Sequence, residues 1–113
     1  MTEPADSTFV SHIRFDVKPG QREAFLDAFA ATGMLTRPTS VTGFCWGKLV
    51  EATDGSHFMV IAAWETEAAY AQWQSTAMKD VDRDAVIAFV ETLSNPAPGK
   101  LFRIVAHSEA RRD

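Results

Sequence analysis

The sequence predicts an α+β domain in which helices lie on one face of a four-stranded antiparallel sheet. The segment from Phe9 to Val17 alternates apolar and polar residues with the period of two that is typical of strands. A helical pattern follows the first strand, and an Asp-Gly pair joins the second and third strands. The predicted order is strand, helix, strand, strand, helix with an extra helical piece, strand. This order is that of the ferredoxin-like split βαβ arrangement.

Length and composition favour one globular domain. A chain of 113 residues with 46% hydrophobic and 23% charged residues can bury roughly two thirds of its unfolded surface in a single core. The net charge of −4 argues against a nucleic-acid partner, because such binding depends on clustered Lys and Arg. No apolar run reaches the ~20 residues of a membrane-spanning helix, and the first residues lack the features of a signal peptide. We therefore expect no membrane partner and a cytoplasmic location.

The first strand is predicted at Phe9–Val17, after a polar leader at residues 1–8. Phe9, Ile13 and Phe15 fall on one face of that strand, and His12 falls on the other. A Lys-Pro-Gly sequence then ends the strand. A helical pattern runs from Gln21 to about Gly33, carried by Phe25, Leu26 and Phe29.

The middle of the chain predicts a β-hairpin. Residues 36–42 contain Pro38 and indicate an irregular connection. Two strands, Gly43–Ala52 and His57–Glu65, then flank a Thr-Asp-Gly-Ser turn. The Asp-Gly pair readily adopts the positive φ angles that a tight hairpin needs.

Two further helices and a short strand complete the domain at residues 9–106. Thr66 is placed to cap a second helix, whose helical spacing is carried by Ala69, Tyr70, Trp73 and Ala77. A third helical segment ends at the proline-rich stretch Asn95–Gly99 and is indicated by Val86, Ile87, Phe89, Val90 and Leu93. Leu101–Ala106 is the last strand, and residues 107–113 form a charged tail.

The predicted sheet is apolar on both faces. The third strand places Val60 and Trp64 on one side but Met59 and Ile61 on the other. One helical layer covers only one face, and an exposed apolar patch of this size is unusual for a monomer. We therefore expect a homodimer in which two sheets pack face to face. The alternative is that the C-terminal tail covers the second face.

Several segments together resemble the antibiotic biosynthesis monooxygenase domain. They are the strand ending in Val-Lys-Pro-Gly at residues 17–20, the helix with Phe25 and Phe29, the Gly-Phe pair at residues 43–44, and the run Val-Ile-Ala-Ala-Trp-Glu-Thr-Glu-Ala-Ala-Tyr at residues 60–70. The most specific part is the strand that ends in Trp-Glu and leads into a helix with Ala-Tyr and Trp73. The resemblance covers about Phe9 to Val105.

The resemblance implies a dimeric α+β barrel and an oxygenase that acts on anthrone-like or quinol-like aromatics, with polyketide antibiotic biosynthesis as the expected setting. Such enzymes use molecular oxygen as co-substrate and no flavin, metal or haem of their own. Other members of the family leave two alternatives open, a cyclase or isomerase without oxidation and a ligand-binding or dimerisation module without catalysis. The haem-degrading branch is disfavoured, because its asparagine and histidine positions correspond here to Ile13 and Asp82.

A cavity for a planar substrate should be concave and largely aromatic. The residues expected to build it between sheet and helices are Phe25, Phe29, Phe44, Trp46, Trp64, Tyr70, Trp73 and Phe89. Trp64, at the family's tryptophan position, is the first candidate for a catalytic residue, because its indole N–H could hold a substrate oxyanion. The alternative is a core tryptophan bonded to a backbone carbonyl. For Tyr70 and Trp73, on the sheet-facing stripe of the helix, ordinary core positions are favoured, although either could line a planar substrate.

The remaining polar candidates are weaker. Arg83 could close over the cavity and pair with a substrate carboxylate or phenolate, but the acidic residues around it favour an exposed helix position. His12 should face away from the helices, where a structural role is expected. The acidic residues Asp80, Asp82 and Asp84 lack the glycine and glutamate of a calcium loop, so no metal is expected there. Cys45 alternates with aromatic residues in a strand and is expected to be a small buried thiol.

Overall fold

The four predicted strands are present and form one antiparallel sheet. The computed structural model describes residues 8–77, 79 and 81–110. The strands are β1 (Phe9–Phe15), β2 (Phe44–Glu51), β3 (Phe58–Trp64) and β4 (Lys100–Arg103), in the order β2-β3-β1-β4. Each neighbouring pair is antiparallel. The ferredoxin-like α+β fold is therefore confirmed. The predicted leader, except Thr8, and the last three residues of the tail lie outside the described residues.

Three helices, α1 (Arg22–Thr32), α2 (Glu67–Thr76) and α3 (Arg83–Glu91), connect the strands. Their ends follow ordinary capping rules. Gly33 adopts φ 70° just after α1 and donates its N–H to Ala30, a conformation that glycine adopts without strain. The Thr66 hydroxyl accepts the Ala69 N–H at 3.1 Å, as predicted. The connection predicted to be irregular contains a short 3-10 helix at Arg37–Ser40.

Two strand ends differ from the prediction by more than one residue. β1 ends at Phe15, and Val17 instead forms an isolated bridge with Leu93. The chain turns there because the main chain of Lys18 donates to Thr92 at 2.8 Å, which ties the strand exit to the end of α3. β4 ends at Arg103 instead of Ala106. Beyond β4 the main chain makes one further hydrogen bond, in which the N–H of Ile104 donates to the carbonyl of Thr8 at 2.9 Å.

The inner face of the sheet packs against the helices in two aromatic groups. The first, which we call the phenylalanine cluster, consists of Phe15, Phe25, Phe29, Phe58, Val60, Phe89 and Leu93. The second, the tryptophan cluster, has Trp64 at its centre with Val41, Ala62 and Ala69, and partly buried Phe9, Phe44, Tyr70, Trp73 and Leu101 around it. Both clusters therefore lie between the same sheet and the same helical layer.

The outer face of the sheet carries apolar side chains that the described helices do not cover. Trp46 is 40% exposed and Phe102 is 42% exposed. Register places Trp46 beside Ala63, and Phe102 beside Val10. No helix in the described part of the chain is long and apolar enough to cross a membrane.

Candidate functional site

A cavity of about 420 Å³ opens between the sheet, α2 and the segment that follows α1. This volume lies within the range of small-molecule sites. Its walls are mainly apolar and aromatic, with few polar side chains. The lining residues are Ser11, His12, Ile13, Met34, Leu35, Pro38, Phe44, Gly47, Val60, Ala62, Trp64, Tyr70, Trp73, Gln74, Ala77 and Gly99.

Trp64 forms a rigid part of the cavity wall. It is the last residue of β3, and its side chain is 1% exposed. Its ring meets Phe44 edge to face at 5.2 Å between centroids and Tyr70 at 5.6 Å. Such geometry is favoured by the quadrupoles of the rings. Contacts on two sides therefore fix the orientation of the indole.

The indole N–H of Trp64 donates to the Ser11 hydroxyl at 3.0 Å, and this hydrogen bond is buried. The Trp64 N–H is therefore bonded to a side chain and not to a backbone carbonyl, and it is not free to bind a substrate oxygen. Ser11 itself is 7% exposed and lines the cavity. Because its oxygen accepts from the indole, its own O–H remains available as a donor.

Ser11 was not among the residues singled out from the sequence. The signal was nevertheless present, because Ser11 lies two residues from Phe9 and from Ile13 and so shares their inward face. A polar residue in a row of core-facing positions needs a hydrogen-bond partner. The sequence could not identify that partner, because it lies in β3, 53 residues away along the chain.

The second polar group of the wall is the phenol of Tyr70. Gln74, one turn later on α2, donates its amide N–H to the Tyr70 oxygen at 2.8 Å. Partial burial raises the pKa of Tyr70, because the phenolate would lose solvation. A Cβ atom added to Gly99 would lie 3.0 Å from the same oxygen. Tyr70 is therefore protonated at neutral pH and held between α2 and the segment that enters β4.

Trp73 lines the cavity from α2 under a guanidinium group. The Arg37 guanidinium carbon lies 5.4 Å from the centre of the indole ring, within the range of a cation–π contact. Arg37 also donates to the carbonyls of Thr32 at 3.4 Å and Thr76 at 3.2 Å. These bonds join the ends of α1 and α2 and hold the arginine over Trp73.

The other residues proposed from the sequence are not gathered at this cavity. Phe25 and Phe29 belong to the phenylalanine cluster, and Phe89 lines a smaller neighbouring cavity. Trp46 lies on the outer face, where the Lys48 ammonium is 5.1 Å from its ring centre. Arg83 is exposed at the start of α3 and lines neither cavity.

His12 lines the cavity with its main chain. Its imidazole ring lies on the outer face of the sheet. The imidazole is 4.9 Å from the ring of Phe102, and its neighbour Ser11 points inward. Cys45 is half-buried and donates its thiol to Gly43 O at 3.8 Å; burial, and then the charge of Glu65, raise the pKa of this thiol.

The acidic residues before α3 do not form a described metal site. Asp82 caps the helix by accepting the Asp84 N–H at 3.4 Å. Asp80 lies outside the described residues. Within the described ranges, no three His, Cys, Asp or Glu side chains come together in a way that could hold a metal ion.

Comparison with known proteins gives one sequence match and many structural ones. The sequence model of the antibiotic biosynthesis monooxygenase family matches residues 8–92, which is most of the chain. No curated protein sequence is significantly similar to it.

Three solved structures illustrate the structural likeness. A monooxygenase from the gene ActVA-Orf6 of Streptomyces coelicolor, in complex with the ligand nanaomycin D, is 23% identical with a TM-score of 0.67, covering 96% of both chains. A dimeric ferredoxin-like protein from an uncultured marine organism is 13% identical with a TM-score of 0.71 and the same coverage. Rv0793 from Mycobacterium tuberculosis is 17% identical with a TM-score of 0.68, covering 91% of this chain and 100% of that one. At these identities the likeness establishes the fold.

Proposed function

The chain belongs to the antibiotic biosynthesis monooxygenase family, and from this premise we propose that it oxidises a polycyclic aromatic substrate of the anthrone or quinol type. Molecular oxygen is the co-substrate, and the reaction uses no resident flavin, metal or haem. A role in polyketide antibiotic biosynthesis is the setting that the family suggests. The Streptomyces coelicolor relative supports this class, since it is a monooxygenase that was solved with the ligand nanaomycin D.

The observation that carries the proposal is an aromatic cavity with two hydroxyl groups in its wall. Its volume of about 420 Å³ is roughly fourteen times the ~30 Å³ that one water molecule takes in the liquid. A three-ring aromatic has a similar number of heavy atoms. The rings of Phe44, Trp64 and Trp73 offer flat apolar surface, and Ser11 and Tyr70 offer donors for the oxygens of such a substrate.

The two hydroxyls can stabilise the negative charge that forms on the substrate. An anthrone or phenol becomes a good electron donor when it loses a proton and its oxygen carries the charge. Ser11 is the stronger candidate, because the Trp64 N–H donates to its oxygen and polarises its O–H. Tyr70 is polarised in the same way by Gln74. Trp64 is then a positioning residue that acts through Ser11.

The proposed reaction balances with oxygen alone. The anthrone anion passes one electron to oxygen, and the two radicals combine to form a carbon–oxygen bond and a peroxide. Loss of water from the protonated peroxide leaves a carbonyl group in place of the CH₂. One oxygen atom thus enters the product and the other leaves as water, while the substrate supplies all four electrons. In this scheme the protein contributes position and electrostatics.

We further propose that the chain functions as a homodimer whose outer sheet faces pack together. Trp46 and Phe102 are each about two-fifths exposed on that face, and Met59 and Ile61 lie between them on β3. The described tail does not replace a partner, because residues 104–110 are all exposed. The ferredoxin-like protein from an uncultured marine organism is itself dimeric, which supports a dimer. An Ile61→Asp variant should sediment as a monomer while the unaltered chain sediments as a dimer; an unaltered chain that sediments as a monomer at micromolar concentration contradicts the proposal.

Oxygen uptake tests the activity directly. Chelator-treated protein is mixed with 1,8-dihydroxyanthrone, and oxygen consumption is measured above the rate without protein. We expect one oxygen molecule per anthrone and, with ¹⁸O₂, one labelled atom in the anthraquinone product. Trp64→Phe should slow oxygen uptake. The matched control, Trp46→Phe on the outer face, should leave the rate unchanged. Conversion of a related substrate without oxygen uptake would instead indicate a cyclase or isomerase.

A further inference from the structure

A second cavity, of about 220 Å³, lies beside the first. It is an open hollow bounded by α3, the end of α1 and the segment after α3. Val86, Phe89 and Val90 form its α3 wall, and Pro96 and Ala97 form the opposite side. It lies between the phenylalanine cluster and the main cavity, so it is a hollow at the border of the solid core.

The two cavities are neighbours with a common wall. Ile13, Met34, Trp73 and Ala77 line both of them. Met34 and Trp73 lie at the boundary between the two cavities, and neither is fully buried. The side chain of Met34 is flexible, and that of Trp73 is planar. A molecule that lies flat in the first cavity can therefore extend past Trp73 into the second with a small change of side-chain position.

The chemistry of the second cavity differs from that of the first. Among its described lining residues the polar side chains are Thr32 and Arg37. The Thr32 hydroxyl donates to Phe29 O at 2.7 Å, and Arg37 is held by two carbonyls and the ring of Trp73. Both side chains are thus already bonded within the protein, and the rest of the lining is apolar.

From this continuity and this lining we infer that the second cavity binds an uncharged apolar substituent of the substrate. The inference rests on the proposed function and narrows its substrate class to polycyclic aromatics that carry an alkyl or aryl side chain. A volume of 220 Å³ is roughly seven times the ~30 Å³ of a water molecule. It therefore accommodates a side chain of about five to seven carbon atoms.

A homologous series of ligands tests the inference. The probes are hydroxyanthraquinones, which are stable in air, carrying an alkyl chain of increasing length from none to octyl. Their dissociation constants are measured by calorimetry with the full chain. We expect affinity to rise up to about fourfold with each added carbon and to level off once the second cavity is filled, near six carbons.

Two variants test whether the alkyl substituent of the ligand lies in the second cavity. Val86→Phe and Val90→Phe each add volume to the wall of the second cavity, and the quantity compared is the ratio of hexyl to unsubstituted affinity. We expect this ratio to fall toward one in whichever of the two variants keeps the unfolding temperature of the original. The matched control is Ile87→Phe, since Ile87 lies on the same helix and is as exposed as Val90, at 46% against 47%, but lines neither cavity. Its ratio should equal that of the original chain.

The outcomes separate the two proposals. If the unsubstituted ring binds but affinity does not depend on chain length, the second cavity is not a subsite and the proposed function stands. If the ratio stays high in both cavity variants, the alkyl chain lies elsewhere and the inference is overturned. If no member of the series binds, the substrate class itself is wrong and both proposals fail.

Discussion

The phenylalanine cluster and the tryptophan cluster lie on the same face of one sheet, yet they differ in packing. In the first, rings fill the space between sheet and helices, with centroids 4.6 Å apart for Phe25 and Phe58 and 5.1 Å apart for Phe15 and Phe89. In the second, Trp64 and its neighbours surround a cavity of about 420 Å³. Aromatic content alone therefore does not distinguish a core from a binding site.

What differs between the two clusters is the polar part of the aromatic side chains. Phenylalanine has no atom that needs a hydrogen bond, so it can be packed on all sides. Tryptophan and tyrosine bring an N–H or O–H that must be satisfied when buried. Here the Ser11 hydroxyl accepts the Trp64 N–H, and the Gln74 amide donates to the Tyr70 oxygen. The polar atoms and their partners lie at the cavity wall, where they can also meet a ligand.

The largest expected effect tests the solid cluster. Phe25 is 0% exposed and touches four other aromatic rings. Phe25→Ala should lower the free energy of unfolding by about 3–5 kcal/mol, because a cavity replaces the ring. Chemical denaturation measures this loss. The exposed Ile87→Ala serves as control and should change stability by less than about 1 kcal/mol. A Phe25→Ala variant as stable as this control would contradict the assignment of Phe25 to the core.

The next largest effect tests the tryptophan cluster, which surrounds the cavity. Ser11→Ala removes the proposed donor to the substrate oxyanion, so turnover should fall about 10²–10³-fold. Stability should fall by only about 1–3 kcal/mol, since the Trp64 N–H loses its acceptor. Steady-state kinetics and denaturation separate the two quantities. Ser11→Thr keeps the hydroxyl and should retain most of the turnover; equal losses in both variants would show that the hydroxyl is not the active group.

A smaller effect concerns the far wall of the cavity. Gly99→Ala places a methyl group 3.0 Å from the Tyr70 oxygen, so the phenol must move by a few tenths of an ångström. We expect hydroxyanthraquinone to bind about tenfold more weakly, as measured by calorimetry. In a Tyr70→Phe background the same glycine substitution has no hydroxyl to displace, so its effect should largely vanish. An equally large effect of Gly99→Ala in the Tyr70→Phe background would show that contact with the phenol is not its cause.

The smallest effect is a pH dependence. Burial raises the pKa of Tyr70 in the folded chain, so the folded state holds this proton more tightly than the unfolded state. The resulting stability is fully present below about pH 10 and is lost as pH rises through the folded pKa. Tyr70 is the only tyrosine, so tyrosinate absorbance reports on it alone. An apparent pKa at or below that of the unfolded chain would contradict the position of the phenol.

The sequence predicted the fold well because that prediction rests on local periodicity. The hairpin, the Thr66 cap and the inward row of Phe58, Val60 and Trp64 are set by short-range rules, and each is present. In the turn itself Gly55 has the positive φ that was predicted for both residues of the pair, and Asp54 does not. The ends of β1 and β4 were less predictable. They depend on main-chain bonds such as Lys18 N to Thr92 O, between residues far apart in sequence.

The site was only partly predictable for the same reason. Phe44, Trp64, Tyr70 and Trp73 do line the cavity, but hydrophobic spacing could not show that Phe25 and Phe29 belong to a separate cluster. Trp46 was assigned to the wrong face, because a bulge between Phe44 and Trp46 shifts the register of β2. Ser11 was missed, because the partner that reveals its importance lies on another strand.

The central claim is that ligand binds in the cavity beside Trp64, and the three tryptophans allow one direct measurement. In ¹⁵N-labelled protein each indole N–H gives one NMR signal, which single Trp→Phe variants assign. Titration with 1,8-dihydroxyanthraquinone should shift the signals of Trp64 and Trp73, which line the cavity, and leave that of Trp46 on the outer face in place. A titration that shifts only the Trp46 signal, or none of the three, would contradict the account.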